Sequence, residues 1–212
     1  MALTAALLAP SMKAATFTNS AYISIPDPGE IDSVIDVTGM GLSTITSISV
    51  SLNGFYHDIP DDLQMFLVGP NGRIVTLMDF IVSDSEVSPS ISGTLNLNFS
   101  DEAPNRYFTY RGAFGLSDGV ITETDYRPLG LPLRSPLSAD FYESFTSGFL
   151  GLEANGTWRL VIRDVGAVDV GYIANGWSLT LTTSAVPEPA TYGLILGAVA
   201  LGGCGFRRRR KA

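Results

Sequence analysis

The chain contains a single histidine, His57, which is the natural starting point for a search for catalytic residues. A serine hydrolase needs a histidine to accept the proton of its nucleophile. One serine, Ser117, does lie in a Gly-x-Ser-x-Gly sequence, at residues 115–119, but no helix pattern follows it, as the nucleophile turn of a hydrolase requires. The chain also lacks a phosphate-binding glycine loop, a His-x3-His pair and a cysteine pair. The sequence therefore does not support hydrolysis, nucleotide chemistry or zinc chemistry, and we expect no catalytic residue.

Aspartates in two short segments offer oxygen ligands for a cation. Ca²⁺ takes about six to eight oxygen ligands, usually carboxylates together with backbone carbonyls. If the fold brings the two segments together, they can form a calcium site, and Ca²⁺ is the one candidate cofactor. The alternative, which the sequence favours, is that these acids cap turns and keep the surface soluble. The candidate ligands are Asp58, Asp61 and Asp62 in the first segment and Asp164 and Asp169 in the second.

Two segments near the end of the body, residues 157–164 and 177–183, place large apolar residues at every second position. Such alternation predicts half-buried antiparallel strands. Asn-Gly pairs stand just ahead of both segments, where tight turns need residues that tolerate a positive φ. We interpret the segments as a closing hairpin whose two tryptophans share one core. The inward residues are Trp158, Leu160 and Ile162 in the first strand and Trp177, Leu179 and Leu181 in the second.

Short strands separated by turn residues also account for the chain between residues 17 and 125. No amphipathic helix of ten residues occurs there, and prolines at 128, 132 and 136 exclude a helix from the following stretch. Many short strands without intervening helices predict an all-β fold. We expect a jelly-roll-like antiparallel β-sandwich over residues 17–183.

The body is strongly acidic. Residues 16–186 hold 20 of the 21 acidic residues but only seven arginines. An acidic surface repels the phosphate backbone, so we expect no nucleic acid partner. Cys204 is the only cysteine, which excludes an internal disulfide.

The two ends differ from the body. Residues 1–16 are either the remnant of a signal peptide, with a short apolar run but no basic residue before Lys13, or a poorly ordered arm. Residues 184–189 form a proline-containing linker. The 17 residues 190–206 carry no charge and are followed by five basic residues. This arrangement predicts a C-terminal transmembrane helix with its basic end in the cytoplasm and the body outside it.

The tail resembles the PEP-CTERM sorting signal of Gram-negative bacteria. Its parts are Val186, Pro187, Glu188 and Pro189, then the apolar segment, then Arg207, Arg208, Arg209 and Arg210. The resemblance implies processing by a membrane-embedded exosortase-type enzyme. It also implies an inner-membrane-anchored precursor and a mature form in the cell envelope or in an extracellular matrix that contains exopolysaccharide.

The body resembles the P domain, or P/Homo B domain, of kexin- and furin-like subtilases over roughly residues 20–183. The first matching block comprises His57, Asp62-Leu63 and Gly69-Pro70-Asn71-Gly72. The second comprises Phe149, Asn155-Gly156-Thr157-Trp158, Asp164, Asp169, Gly171 and Trp177-Ser178-Leu179. The resemblance implies a jelly-roll sandwich in which His57 hydrogen-bonds within the fold. In that family the domain stabilises a preceding protease domain and supplies no nucleophile; here we expect no such protease domain.

Two classes of function remain open. The first is a non-catalytic surface or matrix protein. The second is a module that binds carbohydrate or calcium, and an aromatic platform in the loop-rich region would favour it. The aromatic candidates are Tyr107, Phe108, Tyr110, Tyr126, Phe141, Tyr142 and Phe145, which can equally cover the end of the sandwich. Serine endopeptidase activity would belong to an associated subtilase domain.

Overall fold

Strands make up most of the computed structural model, which describes residues 11–79, 91–105, 116–117, 120–121, 124–130 and 141–185. A 3₁₀ turn at Pro60–Asp62 and a short helix α1 at Phe145–Phe149 interrupt the strands. The strands are β1 (Met12–Asn19), β2 (Ile23–Ile25), β3 (Gly29–Val37), β4 (Ser43–His57), β5 (Leu63–Val68), β6 (Ile74–Asp79), β7 (Leu95–Ser100), β8 (Leu116–Ser117), β9 (Val120–Ile121), β10 (Asp125–Tyr126), β11 (Phe141–Tyr142), β12 (Gly156–Asp164), β13 (Gly171–Ile173) and β14 (Trp177–Ala185).

Two sheets share one apolar core. The first sheet has the order β1-β14-β4-β13-β2, with β7 also paired to β4, and the second has the order β11-β6-β5-β12-β3. The long pairings are antiparallel, and among the described strands only the two-residue strands β10 and β11 pair in parallel. The predicted all-β antiparallel class is therefore confirmed. No helix in the described part of the chain is long and apolar enough to cross a membrane, and the predicted membrane segment lies outside the described residues.

Both tryptophans lie in the common core, as predicted, and both are fully buried. The indole N–H of Trp158 donates to the carbonyl of Ala154 at 3.0 Å, and its ring meets that of Phe149 edge-on at 5.0 Å between centroids. The indole N–H of Trp177 donates to Oγ of Ser33 at 2.9 Å. Each buried indole thus keeps a hydrogen bond while its ring fills the core.

The two tryptophan strands do not form a hairpin, so that prediction is wrong. Strand β12 lies between β3 and β5 in one sheet, whereas β14 lies between β1 and β4 in the other. The short strand β13 intervenes and pairs with β4 and β2. Alternation reports which face of a strand is buried, but it carries no information on the neighbouring strand. The two tryptophans therefore enter the common core from opposite sheets instead of lying side by side in one sheet.

The sandwich extends past both expected bounds of the body, residues 17 and 183. Strand β1 begins at Met12 and pairs with β14, which ends at Ala185. Hydroxyl pairs join the two strands, with Thr16 and Thr180 at 2.9 Å. The segment before Phe17 has little strand pattern of its own, and its order comes from the pairing with β14. Residues 1–10 and the linker beyond 185 lie outside the described residues.

Three connections cross from one sheet to the other at the same end of the sandwich. The 3₁₀ turn joins β4 to β5, residues 165–170 join β12 to β13, and residues 26–28 join β2 to β3. The main-chain amide of Asp58 donates to the carbonyl of Val170 at 3.0 Å, and the amide of Val165 donates to the carbonyl of Asp62 at 3.1 Å. This end of the sandwich therefore collects residues that are far apart in sequence.

Candidate functional site

His57 is the last residue of β4 and is fully buried at this end. Its Nε2 lies 3.0 Å from Oδ2 of Asp164 and 3.4 Å from Oδ1 of Asp169. Its Nδ1 accepts the main-chain N–H of Ile59 at 3.2 Å. A nitrogen that accepts a hydrogen bond carries no proton, so the neutral ring must carry its proton on Nε2 and donate it to Asp164. The Ile59 amide therefore fixes the tautomer of His57.

These two bonds confirm that His57 hydrogen-bonds within the fold. In a serine hydrolase, an aspartate holds one imidazole nitrogen and the other nitrogen is left for the nucleophile. Both nitrogens of His57 are bonded to groups of the fold, and neither group is a nucleophilic side chain. The ring can therefore orient the Asp164 carboxylate, but this arrangement leaves it no nitrogen with which to accept a substrate proton.

Asp164 and Asp169 are both buried next to the imidazole. Oδ1 of Asp164 accepts the N–H of Gly166 at 2.8 Å, which closes a tight turn after β12. Neither carboxylate oxygen of Asp169 accepts a hydrogen bond, although its side chain is only 1% exposed. Burial raises the pKa of Asp169 to about 6, an effect that His57 opposes and the charge of Asp164 reinforces.

Asp27 and Asp62 complete the cluster on its outer side. Oδ2 of Asp27, which is exposed, accepts the main-chain N–H of Asp169 at 2.8 Å. Asp62 is partly buried, and its carboxylate lies so close to Gly166 that a Cβ there would come 2.1 Å from Oδ2. Burial raises the pKa of Asp62, and the charge of Asp164 raises it further. The cluster thus runs from a buried centre at His57 to the solvent at Asp27.

Asp58 and Asp61, the other predicted metal ligands, have different surroundings. Oδ1 of Asp58 accepts the hydroxyl of Tyr56 at 2.5 Å, and its Oδ2 accepts the main-chain N–H of Val170 at 3.0 Å. The bond to Asp58 raises the pKa of the Tyr56 hydroxyl. One carboxylate oxygen of Asp61 is inaccessible to solvent. Asp58 therefore fastens the 165–170 connection to β4.

The structure brings three of the five predicted ligands together and adds one that the sequence analysis missed. Donor atoms of His57, Asp164 and Asp169 lie within 4.8 Å of one another. Asp62 lies beside Gly166, near enough for the charge of Asp164 to raise its pKa. Asp27 was missed because it stands in a Pro-Asp-Pro-Gly sequence, which is typical of a turn, without another acid beside it. Its link to Asp169 spans 142 positions, and no local pattern marks such a contact.

The aromatic candidates do not form a common surface among the described residues. Tyr126 and Phe145 belong to the core, Phe141 and Tyr142 are half-buried, and residues 107, 108 and 110 lie outside the described part of the chain. A different aromatic row crosses three neighbouring strands of the first sheet. Its rings stack at 5.6 Å and 5.3 Å between centroids, in the order Tyr22, Tyr172 and Tyr56.

The tail is identified by its sequence. Residues 185–211 match the PEP-CTERM protein-sorting motif, which confirms the predicted sorting signal. The motif begins at the last residue of β14, so the sorting signal follows directly from the sandwich. Such a motif indicates an exported protein with a membrane-anchored precursor, sorted to the cell envelope by an exosortase-type enzyme.

Two solved structures resemble the body at low sequence identity. A chain from the crystal structure of the Aeromonas sobria serine protease with its chaperone has a TM-score of 0.40 and 17% identity, covering 83% of this chain and 27% of that one. The serine protease of the same organism has a TM-score of 0.36 and 19% identity, covering 84% of this chain and 28% of that one. No curated protein matches the sequence. This chain thus spans little more than a quarter of each solved chain.

Proposed function

We propose that this protein is a non-catalytic component of the cell envelope or of the extracellular matrix. Its P-domain-like jelly-roll sandwich is displayed outside the cytoplasm, and its tail holds the precursor in the inner membrane until an exosortase-type enzyme processes it. The observation that carries the proposal is the sorting motif at residues 185–211, which starts where the last strand of the sandwich ends.

The physical properties of the tail support the membrane-held precursor. The 17 uncharged residues 190–206 would span roughly 25 Å as a helix, which is near the short limit for crossing a bilayer core. Placing one arginine at the bilayer centre costs about 2.5–3.5 kcal/mol on insertion scales. The basic cluster at residues 207–211 therefore favours the cytoplasmic side, with the sandwich on the other side.

The bonding of His57 supports a non-catalytic body. The only histidine of the sequence donates from Nε2 to Asp164 and accepts the Ile59 amide N–H at Nδ1. A hydrolase built on this ring would have to break one of these buried bonds before each turnover. We therefore assign His57 a positioning role within the sandwich, and any peptidase activity would belong to an associated protein.

The alternative class, a binding module, receives support from one observation. The buried carboxylates around His57 offer oxygen ligands for a cation at one end of the sandwich. For carbohydrate, the exposed ring of Tyr22 at the end of the tyrosine row is the candidate contact, since its side chain is 60% accessible. We rank this below the structural role because Tyr172 lies between two other rings and offers no open face.

The experiment that tests the proposal transfers the tail to another protein. Residues 184–212 are fused to an exported reporter in a Gram-negative host that has an exosortase. We expect a membrane-bound precursor and a shorter released product. Replacing Arg207, Arg208, Arg209 and Arg210 with serine should impair both retention and processing, whereas replacement with lysine, which keeps the charge, should preserve retention. Recovery of the native fusion at full length in the soluble fraction would overturn the proposal.

A further inference from the structure

Four carboxylates surround a single imidazole at the end of the sandwich. Asp164 and Asp169 are in contact with His57, and the charges of Asp27 and Asp62 act on Asp169 as well. Among the described residues, no lysine or arginine forms an ion pair with any of the four. Buried charges are normally paired or bound to a metal. A bound cation would therefore stabilise this concentration of negative charge.

Asp169 is the member of the cluster whose buried carboxylate has no hydrogen-bond donor. Its side chain is 1% exposed, yet neither of its oxygens accepts a hydrogen bond. A buried carboxylate without such bonds loses its hydration and gains nothing in return. One of its oxygens lies within 4.8 Å of a carboxylate oxygen of Asp164, and the main-chain N–H of Asp169 donates to Asp27. These oxygens are therefore free to coordinate an ion shared with the neighbouring acids.

The tautomer of His57 determines which kind of ion fits. A metal bound to Nε2 requires the ring proton on Nδ1, but Nδ1 accepts the Ile59 amide. His57 is therefore a hydrogen-bond donor that orients Asp164, as a neighbour of a ligand commonly does, and is not itself a ligand. The remaining donors are carboxylate oxygens, which suit a hard cation better than zinc or copper.

We propose that this end of the sandwich binds Ca²⁺ through the carboxylates of Asp62, Asp164 and Asp169, with Asp27 at the solvent side. Main-chain carbonyls and water supply the other oxygens of a coordination shell of about six to eight. The bound ion joins the three connections that cross between the sheets, since Asp27, Asp62 and Asp169 belong to different ones. The site differs from the one that the sequence suggested, because Asp27 is added and Asp58 and Asp61 are not part of it.

The test is a titration of the purified full-length chain in detergent with CaCl₂ after treatment with a chelator. An ion that binds only the folded state raises the melting temperature, by roughly 5–10 °C when free Ca²⁺ is about 100-fold above Kd. Calorimetry under the same conditions should give one site per chain. MgCl₂ at equal concentration should have a smaller effect, because Mg²⁺ requires a more regular, largely hydrated shell.

Two variants and one control locate the site. Asp169→Asn should abolish the response to Ca²⁺, and its melting temperature in chelator should be at least that of the wild type because a repulsive buried charge is gone. Asp62→Asn, at a more accessible position, should weaken Ca²⁺ binding at least tenfold and provides a second test if Asp169→Asn does not fold. Asp58→Asn is the matched control and should keep the wild-type response.

Three results would overturn the proposal. The first is a wild-type melting temperature that does not respond to CaCl₂. The second is a full response in Asp169→Asn or, if that variant does not fold, in Asp62→Asn. The third is a response lost in Asp58→Asn but kept in Asp62→Asn, which would move the site to the exposed side of the 165–170 connection. None of these results bears on the sorting signal, whose test is independent.

Discussion

Gly171 lies directly opposite His57 on the neighbouring strands β13 and β4, and a Cβ atom at residue 171 would come 2.0 Å from Cδ2 of the imidazole. The ring therefore occupies space that only a glycine leaves open. In that position its Nε2 lies within hydrogen-bond distance of Asp164, and Asp169 stands two residues before Gly171, at the end of the 165–170 connection. The Asp-x-Gly sequence thus places a carboxylate and a cavity for the ring together.

Substitution of Gly171 by alanine should destabilise the sandwich. The added methyl group overlaps the imidazole, and the ring is fixed at both nitrogens, so the strands must shift. Such overpacking typically costs about 1–3 kcal/mol. Urea unfolding of the full-length protein measures the loss, with Ser24→Ala on the adjacent strand as the control. Equal midpoints for Gly171→Ala and wild type would show that the ring is not held as described.

Removal of the Trp158 side chain should cost still more. Trp158 is fully buried, contacts Phe149 and donates to Ala154. Replacement of a large core residue by alanine typically costs ~3–5 kcal/mol, a substantial share of the stability of a domain. Trp158→Phe retains a ring but loses the N–H, so its stability should lie between that of the wild type and that of Trp158→Ala. An unchanged thermal midpoint in Trp158→Ala would mean that the core is misassigned.

The body should have no hydrolytic activity of its own. Peptide and ester substrates should give no turnover above that of a His57→Ala variant, because His57 has no nitrogen available for a nucleophile's proton. A fluorophosphonate probe, which labels activated serines, should leave the protein unlabelled. Reproducible turnover that disappears in the variant, or specific labelling of one serine, would overturn the non-catalytic assignment.

Stability in the absence of Ca²⁺ should fall as the pH rises. The pKa of Asp169 is raised from 3.8 to about 6, so the folded state binds a proton that the unfolded state releases near pH 4. The free energy of unfolding should therefore decrease between about pH 4 and pH 6 and then level off. The pKa of Asp62 is raised as well, so Asp62 changes the stability in the same direction. The other titratable groups that act on Asp169 are His57, Asp164 and Asp27.

Comparison of wild type with Asp169→Asn isolates this contribution. Urea midpoints measured in chelator between pH 4.5 and 7.5 should decline less steeply in the variant than in the wild type. Parallel profiles would show that Asp169 does not titrate differently in the folded and unfolded states.

Local patterns in the sequence were sufficient for some features and insufficient for others. The buried faces around Trp158 and Trp177 follow from alternation along each strand, and the tail follows from a fixed order of proline, apolar and basic residues. Strand partners depend on contacts across the whole chain, which is why β12 and β14 were wrongly paired with each other. The strand order of Met12–Asn19 likewise comes from its pairing with β14.

The candidate site, too, could be predicted from local sequence only in part. Clustering of acids in sequence indicated two segments, and the three crossing connections bring them together. The selection among those acids needed the structure, because Asp58 is bonded to Tyr56 and Val170 whereas Asp27 reaches Asp169 from a distant turn. The tautomer of His57 depends on one main-chain amide two residues later, a geometric detail that residue types do not encode.

The measurement that tests the central claim most directly follows the full-length chain and a variant lacking residues 186–212 through cell fractionation in a host with an exosortase. The full-length chain should appear first as a membrane-bound precursor and later as a shorter product in the envelope or the medium, and the deletion should change its location. The claim is contradicted if the full-length protein fractionates as a soluble cytoplasmic species, or if the deletion leaves its location unaltered.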